Sequence, residues 1–524
     1  MNMYVVVLNG NNGDDIMLAQ LNSAALLGLS VHLVEIEVDA ASGLPSWEIV
    51  GLPDTAVKES KERVRTAIKN AGYEFPPRKV VVNLAPAYIR KEGPSFDLAI
   101  AIAILHVTEQ IQCDNLEQYL FLGELGLDGS LRSVKGVLPI SLEYSKEAYV
   151  MVVPESNREE CAIGGSKTFG FRHLKEVVDF LQHPEEYQPV TITLPDFSGI
   201  PKYAVHDFSA VKGQSEAKRA LEIAAAGNHN ILLVGSPGSG KTMLSQALPG
   251  ILPPLTFEES LSLSKIYSIA GLLPPNQPLI QERPFRSPHH SASAASIIGG
   301  GRIPHPGEVS LSHHGVLFLD EFPEYHREVL ESLRQPLEDG VVTVSRVQAQ
   351  ITFPCRFLLA ASMNPCPCGY FNDPVRQCTC SEAQLQRYRN KISGPLLDRF
   401  DIQLEVVPVS FQDLHQDKEE ESSEEVRNRV IAARKIQQER FHDSATIHNG
   451  GMTSTEIQQF CQLDEKSKAF LEQAFNRLGL SARAHSRILK VARTIADLAG
   501  SEQIQLTHLA EAIQYRTLDK KLWK

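Results

Sequence analysis

The sequence predicts an α/β protein of several domains, in which a core with a parallel sheet is followed by a helical region. Three observations lead to this prediction. The apolar run Ile231–Val234 has the length and flanks of a buried strand, and it passes through a glycine-rich loop into a helix. A second apolar run, Val316–Leu319, ends in two acids, as a parallel strand does at a binding edge. From 426 to 524, apolar residues recur mostly at helical spacing.

Length and composition limit the classes of protein to consider. At 524 residues the chain is too long for one core, and about three domains are expected. The net charge of −12 argues against a chain that coats nucleic acid or membrane with its whole surface, although a local basic patch or pore stays compatible. No apolar run reaches the length of a membrane span, and no secretory signal is present. Four of the eight cysteines are scattered singly, which favours a reducing cytoplasm and predicts a cytoplasmic protein.

Shifts in composition divide the chain into segments. An Asn- and Asp-rich stretch opens the chain, so Met17 is an alternative start. Val34, Ile36 and Val38 alternate with acids and indicate a half-buried strand, and Asp54 is the expected N-cap of the next helix. The predicted segments are a flexible leader 1–16, an α/β domain 17–185, a linker 186–206, a core 207–408, an acidic connector 409–425 and a helical region 426–524.

The glycine-rich loop has the spacing of a P-loop, and it consists of Gly235, Ser236, Pro237, Gly238, Ser239, Gly240, Lys241 and Thr242. Its glycines let successive backbone N–H groups curl around phosphates, and the following helix adds the positive end of its dipole. Lys241 is placed to reach the β- and γ-phosphates, and the Thr242 hydroxyl to ligate Mg²⁺. The loop therefore predicts binding of a nucleoside triphosphate.

Two further strand ends are expected to meet this nucleotide. Asp320 would hold the water shell of the metal, and Glu321 would polarise the attacking water. Another buried strand leads to Asn364. If that strand lies beside the P-loop strand, the Asn364 amide can orient the lytic water. These residues predict hydrolysis of the triphosphate.

Four cysteines form the second candidate site. Two Cys-x-Cys pairs are separated by nine residues, and they consist of Cys366, Cys368, Cys378 and Cys380. Four thiolates bracketing a turn can hold one tetrahedral ion, so a structural Zn²⁺ within 366–380 is the favoured interpretation. Free thiols, an iron–sulfur cluster and a redox pair remain as alternatives.

Several basic residues are candidates for contacts beyond the nucleotide. Arg399 lies on a tight turn between helix and strand, suited to reach a neighbouring subunit's nucleotide, with an ordinary surface salt bridge as the alternative. Arg483 opens a helix whose first turn could lie over the γ-phosphate. Arg346 falls at the tip of a predicted hairpin, and Arg286 and Arg302 fall in a Gly- and Pro-rich insert; all three are candidate DNA contacts.

The insert region also contains histidines that raise the question of a metal site: His289, His290, His305, His313 and His314. No pair of them has the helical spacing of metal ligands, and Gly and Pro punctuate the stretch. A loop or hairpin that faces a polymer is therefore favoured over a metal site.

Residues 91–95 and 123–129 resemble the proteolytic domain of Lon-type proteases, which has the α/β fold of ribosomal protein S5 domain 2. In that family the serine after Gly-Pro is the nucleophile, and this position is Ser95. The position of its lysine partner is Leu138, and Lys135 lies three residues away. Because a serine without a nearby base is a poor nucleophile, we expect a Lon-like domain without proteolysis.

Taken together, the motifs resemble a ring-forming AAA+ ATPase of the Mg-chelatase-like branch, and within it the ComM/YifB family. The segments 51–60, 364–369 and 488–497 carry the closest resemblance. It implies ATP and Mg²⁺ as cofactors and a homohexamer that drives DNA branch migration in recombination, notably in natural transformation. It also implies that Asn364 is sensor 1, Arg399 the arginine finger and Arg483 sensor 2.

Three functions follow from these resemblances. The leading one is an ATPase motor on branched or single-stranded DNA, with no membrane partner. A magnesium-chelatase motor subunit, which drives metal insertion into porphyrin, is the alternative, although the Lon-like domain and the cysteine cluster are extra to that subunit. An ATP-dependent protease is disfavoured by Leu138 at the lysine position.

Overall fold

The computed structural model describes residues 8–9, 15–16, 18–147, 149–194, 197, 206–274, 277–301, 304–346, 349–373, 376–409 and 420–518. The chain forms two compact units. The first unit comprises Met1–Asp196 and Ser260–Ile280, and the second comprises Phe197–Glu259 and Gln281–Lys524. Both contain β-sheets and helices, so the predicted α/β class is confirmed.

The first unit is built on a mixed seven-stranded sheet. Its strands lie in the order Lys167–Phe171, Val150–Pro154, Tyr119–Phe121, Leu18–Leu27, Ser30–Ala41, Lys79–Ala85 and Ser46–Val50. Val34, Ile36 and Val38 are buried on one face of Ser30–Ala41, which confirms the half-buried strand. Two short antiparallel pairs complete its strands: Leu8–Asn9 with Asp15–Ile16, and Glu124–Leu125 with Leu131–Arg132.

Helices of the first unit pack by their apolar residues. Asp97–Val107 is buried at every position except His106, as expected of a helix inside a core. Asp54 caps Thr55–Asn70 by accepting a hydrogen bond of 2.7 Å from the Val57 amide, as predicted. The other helices are Val137–Tyr144, Arg158–Ile163 and Leu174–Gln182, and the helix Phe257–Ala270 contains the point where the chain passes from the second unit to the first.

The second unit contains a five-stranded, wholly parallel sheet. Its strands lie in the order Phe285–Arg286, Val316–Leu319, Leu358–Met363, Ile231–Val234 and Ile402–Glu405. The central strands are buried on both faces, which explains why they appear in the sequence as continuous apolar runs. Because all five strands run in one direction, the loops after Ile231–Val234, Val316–Leu319 and Leu358–Met363 emerge at one edge.

Two antiparallel pairs lie outside this sheet. Val341–Arg346 pairs with Ala349–Pro354, which confirms the predicted hairpin, and Gly299–Gly300 pairs with His305–Pro306. The helices of the core are Ser215–Gly227, Lys241–Ile251, Ala294–Ile298, Glu308–Leu311, Arg327–Ser332, Arg334–Asp339, Glu382–Arg389 and Gly394–Leu397.

The carboxyl-terminal region is helical, as predicted. It consists of Ser423–Arg440, Ser454–Phe460, Glu465–Leu478, Ala482–Leu498 and Leu506–Gln514. Its apolar residues join the hydrophobic core that surrounds Ile231–Val234. In the part of the chain that the structure describes, no helix is both long enough and apolar enough to cross a membrane.

Some predicted segments fall largely outside the described residues. These are the leader 1–16 apart from its two short strands, part of the linker 186–206, and most of the connector 409–425. The predicted domain boundaries remain predictions.

Candidate functional site

The P-loop follows Ile231–Val234, which lies next to the central strand of the parallel sheet. Gly238 and Gly240 have φ angles of +80° and +88°, a left-handed conformation that favours glycine, and the helix begins at Lys241. Gly235 is required for a steric reason, because a Cβ atom there would lie 2.3 Å from the Val406 carbonyl oxygen. The glycine spacing that predicted the loop is therefore required by the backbone.

Lys241 connects the loop to the neighbouring strand. Its Nζ donates to the carbonyl oxygens of Gly235 at 2.8 Å and Ser236 at 3.0 Å, and to Asn364 Oδ1 at 3.3 Å. Burial lowers the pKa of Lys241, and the charge of Asp320 partly restores it. Leu358–Met363 pairs directly with Ile231–Val234, so the sheet itself brings Asn364 to the P-loop.

Asp320 is held by groups from three directions. Thr242 Oγ1 donates to Asp320 Oδ2 at 2.9 Å, while Ser362 Oγ and the Glu321 amide donate to Oδ1. A hydroxyl and a carboxylate side by side are the oxygen ligands that Mg²⁺ prefers, directly or through its waters. The two residues predicted as magnesium ligands thus lie in contact.

Glu321 is presented to solvent beside this pair. Its φ of +51° is unusual for a residue other than glycine, and such strained backbone is common at functional sites. The side chain is 58% exposed, and its Oε2 lies 3.3 Å from His290 Nδ1. A carboxylate next to the predicted metal site has the position that a water-activating base requires.

Arg399 lies at the amino ends of the strands, whereas the P-loop follows their carboxyl ends. It precedes the strand Ile402–Glu405, and its carbonyl oxygen accepts a hydrogen bond of 2.9 Å from Asn230 Nδ2, at the start of the P-loop strand. A four-residue strand spans about 13 Å, so the length of the strand separates Arg399 from the P-loop of its own chain. Its side chain is 16% exposed and pairs with Glu338 at 2.6 Å.

Arg483 lies beside Arg399 and away from the P-loop of its own chain. Its Nη1 is 3.4 Å from Asp398 Oδ2, and the side chain is 63% exposed. Arg487, one turn further along the same helix, reaches Asp398 at 3.8 Å and Asp401 at 3.3 Å. The structure therefore brings the two predicted arginines together, but not to the nucleotide loop of the same subunit.

The four cysteines 366, 368, 378 and 380 converge as the spacing predicted. All four sulfur atoms lie within 4.8 Å of one another. Three of the sulfur-to-sulfur distances are 3.3, 3.7 and 3.6 Å, whereas four thiolates on a tetrahedral Zn²⁺ would lie about 3.8 Å apart. Burial opposes ionisation of Cys368, but the backbone N–H groups of Tyr370 and Thr379 lower its pKa to about 5. The cluster therefore fits a tetrahedral metal ion.

The three candidate DNA contacts differ in their surroundings. Arg286 forms a bidentate ion pair with Glu308 at 2.7 and 2.8 Å. Arg346 ends the first strand of the hairpin, and Arg302 lies outside the described residues.

Over the described part of the chain, the cysteine cluster is the one group of three or more possible metal ligands, and the five histidines do not form another.

Ser95 and Leu138 occupy the two positions of the protease resemblance. Leu138 is buried, and its amide donates to Glu160 at 3.1 Å. Among the described residues, the Ser95 hydroxyl has no lysine as a hydrogen-bond partner. The absence of proteolysis stays a prediction.

Three contacts around the site were not predicted from the sequence, those made by Ser362, His290 and Glu338. His290 was considered only as a possible metal ligand. Ser362 carried a detectable signal, because it is a polar residue in an otherwise apolar buried strand. His290 and Glu338 carried none, since their contacts with Glu321 and Arg399 depend on tertiary structure.

A P-loop strand beside the central strand of a parallel sheet, with an acid-tipped strand and an asparagine nearby, defines an AAA+-type P-loop ATPase. The chain belongs to the ComM/YifB family of Mg-chelatase-like AAA+ proteins. Membership of this family implies ATP hydrolysis, with ATP and Mg²⁺ as cofactors.

The family assignment rests on matches along almost the whole chain. Residues 36–157 match subunit ChlI of Mg-chelatase, 207–414 match magnesium chelatase subunit ChlI, and 420–516 match its C-terminal part. Competence protein ComM of Haemophilus influenzae is 44% identical, with 97% of this chain and 99% of ComM covered. YifB of Escherichia coli is 44% identical (96% and 98% covered), and Rv2897c of Mycobacterium tuberculosis is 40% identical (94% and 97% covered).

Proposed function

We propose that the chain is an ATP-driven ring motor that acts on branched or single-stranded DNA and promotes branch migration. The observation that carries this proposal is that the hydrolytic residues are divided between the two ends of the strands in one sheet. The carboxyl ends of the strands carry Lys241, Thr242, Asp320 and Glu321. Arg399 lies at the amino ends.

This division favours a ring. Arg399 cannot reach the P-loop of its own chain across about 13 Å of sheet, but it can complete the site of an adjacent copy. Arg483 shares the Asp398 neighbourhood, so the same interface would carry both arginines. We propose a homohexamer in which each nucleotide is bound by one subunit and its transition state is stabilised by the next.

The DNA substrate is supported by the elements that extend from the core. The hairpin Val341–Pro354 carries Arg346, and the segment from Phe285 to Arg302 carries Arg286 and Arg302. A ring would direct such elements towards a central pore. With a net charge of −12, DNA binding must come from such local groups. The name competence protein of the relative ComM agrees with a role in natural transformation.

ATP hydrolysis by the purified full-length chain tests this proposal. We expect Holliday-junction, forked or single-stranded DNA to stimulate hydrolysis, and the stimulation to weaken as the salt concentration rises. Glu321→Gln should bind ATP without hydrolysing it. Glu324→Gln is the matched control, because Glu324 lies three residues away and pairs with Lys391. The DNA proposal fails if no DNA stimulates hydrolysis and forked DNA is not remodelled.

We also propose that the cysteine cluster binds a structural Zn²⁺. The support is the convergence of four sulfur atoms within 4.8 Å, on a loop that directly follows Asn364. In this position, a bound ion would fix the loop next to the P-loop, where the Pro237 side chain already lies close to Gly369. Its role would be structural, since four protein thiolates leave no open coordination position.

Elemental analysis of the purified chain tests the zinc proposal. We expect about one zinc ion per chain, lost in Cys378→Ser and retained in Cys113→Ser, whose cysteine lies outside the cluster. Equal zinc contents in the two variants would contradict the proposal. Iron and visible absorbance in place of zinc would indicate the iron–sulfur alternative.

A magnesium-chelatase motor is the second candidate, because all three family models that match the chain describe subunit ChlI. It predicts ATP-dependent insertion of Mg²⁺ into porphyrin when the chain is combined with a porphyrin-loading partner. Porphyrin enzymes encoded beside this chain would favour that candidate over the DNA motor.

A further inference from the structure

The second unit contains a cavity at the amino ends of the parallel strands, whereas the P-loop lies at their carboxyl ends. Its volume is about 360 Å³, within the range of small-molecule sites. Asn228 and His314 in its lining have φ angles of +55° and +56°, and such strained backbone is common at binding sites. Four other lining residues directly precede strands of the sheet: Asn230, Gly315, Phe357 and Asp401. The cavity is therefore separate from the nucleotide site.

Three guanidinium groups line this cavity, and they come from three separate segments of the chain. Arg283 precedes the edge strand, Arg356 precedes the central strand, and Arg434 belongs to the helix Ser423–Arg440. Glu259, also in the lining, accepts a hydrogen bond of 2.8 Å from Arg283 Nη2. Among the described residues, neither Arg356 nor Arg434 has an acid within ion-pair distance. Two positive charges of the lining are therefore left without a paired acid.

These positive charges affect the pKa values of their neighbours. Burial lowers the pKa of Arg434 to about 9, and the charge of Arg283 acts in the same direction, opposed by Glu259. Burial also lowers the pKa of His314 to about 4, although Glu259 opposes this shift. The charges of Arg283 and Arg356 add to the lowering at His314. The cationic groups therefore repel one another, and a bound anion would reduce that repulsion.

Arg356 and His448 can donate hydrogen bonds to such an anion. Within the described part of the chain, the Arg356 side chain has no hydrogen bond or ion pair. Its stem lies against Gly340, where a Cβ atom would be 3.1 Å from Arg356 Cγ. His448 Nδ1 accepts a hydrogen bond from Arg434, so the neutral ring carries its proton on Nε2. A guanidinium can bind a phosphate through two parallel N–H bonds, and the imidazole N–H can add a third.

The cavity also contains carboxylates, which favour a ligand that carries hydroxyl groups. Glu338 is paired with Arg399 at 2.6 Å, and Asp401 Oδ1 lies 3.3 Å from Arg487 Nε. Asp339 is exposed, and none of the described residues forms a salt bridge or a hydrogen bond with its side chain. Because an ionised carboxylate only accepts hydrogen bonds, Asp339 can bind a hydroxyl group of a ligand but repels a bare anion.

We propose that this cavity binds a small phosphate monoester that carries hydroxyl groups, the chemistry shared by sugar phosphates and nucleotides. The phosphate would lie against Arg356, Arg434 and His448, and a hydroxyl group would donate to Asp339. The inference does not rest on the proposed function, because this binding is measured without ATP and without DNA.

Isothermal titration calorimetry of the full chain with ribose 5-phosphate tests the proposal. We expect a single binding site, and no binding of ribose, which lacks the phosphate. Arg356→Gln should weaken the binding about 10- to 100-fold, the range of one hydrogen bond to a charged group. Arg327→Gln is the matched control, because Arg327 is also exposed and lies outside the cavity.

Asp339→Ala tests the contact with the hydroxyl groups. It should weaken the binding of ribose 5-phosphate but not that of inorganic phosphate, because it removes an acceptor and a negative charge. Equal weakening of both ligands would overturn the role of Asp339.

The site itself is overturned if the wild type does not bind ribose 5-phosphate, or if Arg356→Gln binds it as tightly as the wild type. Binding that is lost in Lys241→Ala and kept in Arg356→Gln would place the phosphate in the P-loop, and it would also overturn the proposal. Arg356→Lys keeps the charge without the two parallel N–H bonds. Weaker binding in that variant gives the same test if Arg356→Gln does not fold.

Discussion

Asp320 is the residue at which three elements of the core converge. The P-loop helix supplies Thr242, the strand Leu358–Met363 supplies Ser362, and the turn of Asp320 itself supplies the Glu321 amide. A carboxylate with this many donors is held in one orientation. Such a fixed ligand can bind Mg²⁺ without the cost of ordering its side chain at the moment of binding.

Ser362 is expected to act through Asp320. In Ser362→Ala the carboxylate loses one donor, and a hydrogen bond to a charged group contributes about 1.5–3 kcal/mol. We therefore expect hydrolysis to need about 10- to 100-fold more Mg²⁺ for half-maximal rate, with little change at saturating Mg²⁺. A magnesium titration of the ATP hydrolysis rate measures this effect.

Ser310→Ala is the control for that titration. Ser310 is equally buried, but its hydroxyl has no hydrogen-bond partner among the described residues, so its removal should not change the magnesium requirement. An identical magnesium dependence of Ser362→Ala and the wild type would show that Ser362 does not position the metal ligand.

At the scale of elements, the sequence predicted the strands better than their arrangement. Ile231–Val234 and Val316–Leu319 are apolar throughout because both faces of the sheet are covered, and this pattern is local. The order of the strands is not local. That Leu358–Met363 lies between those two strands, and so delivers Asn364 to Lys241, could only be assumed from the sequence.

The position of Arg483 in the fold could not be predicted from the sequence either. The sequence indicated that Arg483 opens a helix, and the helix Ala482–Leu498 begins there. It could not indicate against which edge of the core this helix packs. The contact of Arg483 with Asp398 places the arginine on the side of Arg399. In the proposed ring, both arginines would then face the nucleotide of a neighbouring copy.

A capping box in the helical region gives a prediction for pH dependence. Although burial acts in the opposite direction, hydrogen bonds from Ser444, Thr453 and Thr446 lower the pKa of Glu456 from 4.5 to about 2. Because the pKa is lower in the folded state, the stabilisation is complete above pH 4.5 and is lost as the pH falls towards 2.

Glu456→Gln should therefore lower the free energy of unfolding at pH 7, by about 1 kcal/mol as for other caps. The difference from the wild type should shrink progressively below pH 4.5. Chemical denaturation between pH 7 and pH 3 measures it, and Glu472→Gln, at an exposed position of the next helix, is the control. A difference that stays constant with pH would contradict the assigned pKa.

In the whole molecule, the proposed ring mechanism depends on whether one chain contains a complete active site. Lys241, Asp320 and Glu321 form the part of the site that binds the nucleotide and activates water. Arg399 lies at the other end of the strands. A charge that stabilises the transition state from a neighbour makes hydrolysis depend on assembly. A monomer would then bind ATP but hydrolyse it slowly.

ATP hydrolysis by mixed variants tests this division most directly. Lys241→Ala loses the P-loop lysine and Arg399→Ala loses the arginine, so each protein alone should be inactive, and Arg399→Ala should still bind ATP. In a ring assembled at random from equal amounts, about a quarter of the interfaces combine an intact P-loop with an intact arginine. We predict that mixing restores about a quarter of the wild-type rate. A mixture no more active than its components, or an Arg399→Ala protein as active as the wild type, would contradict a site shared between subunits.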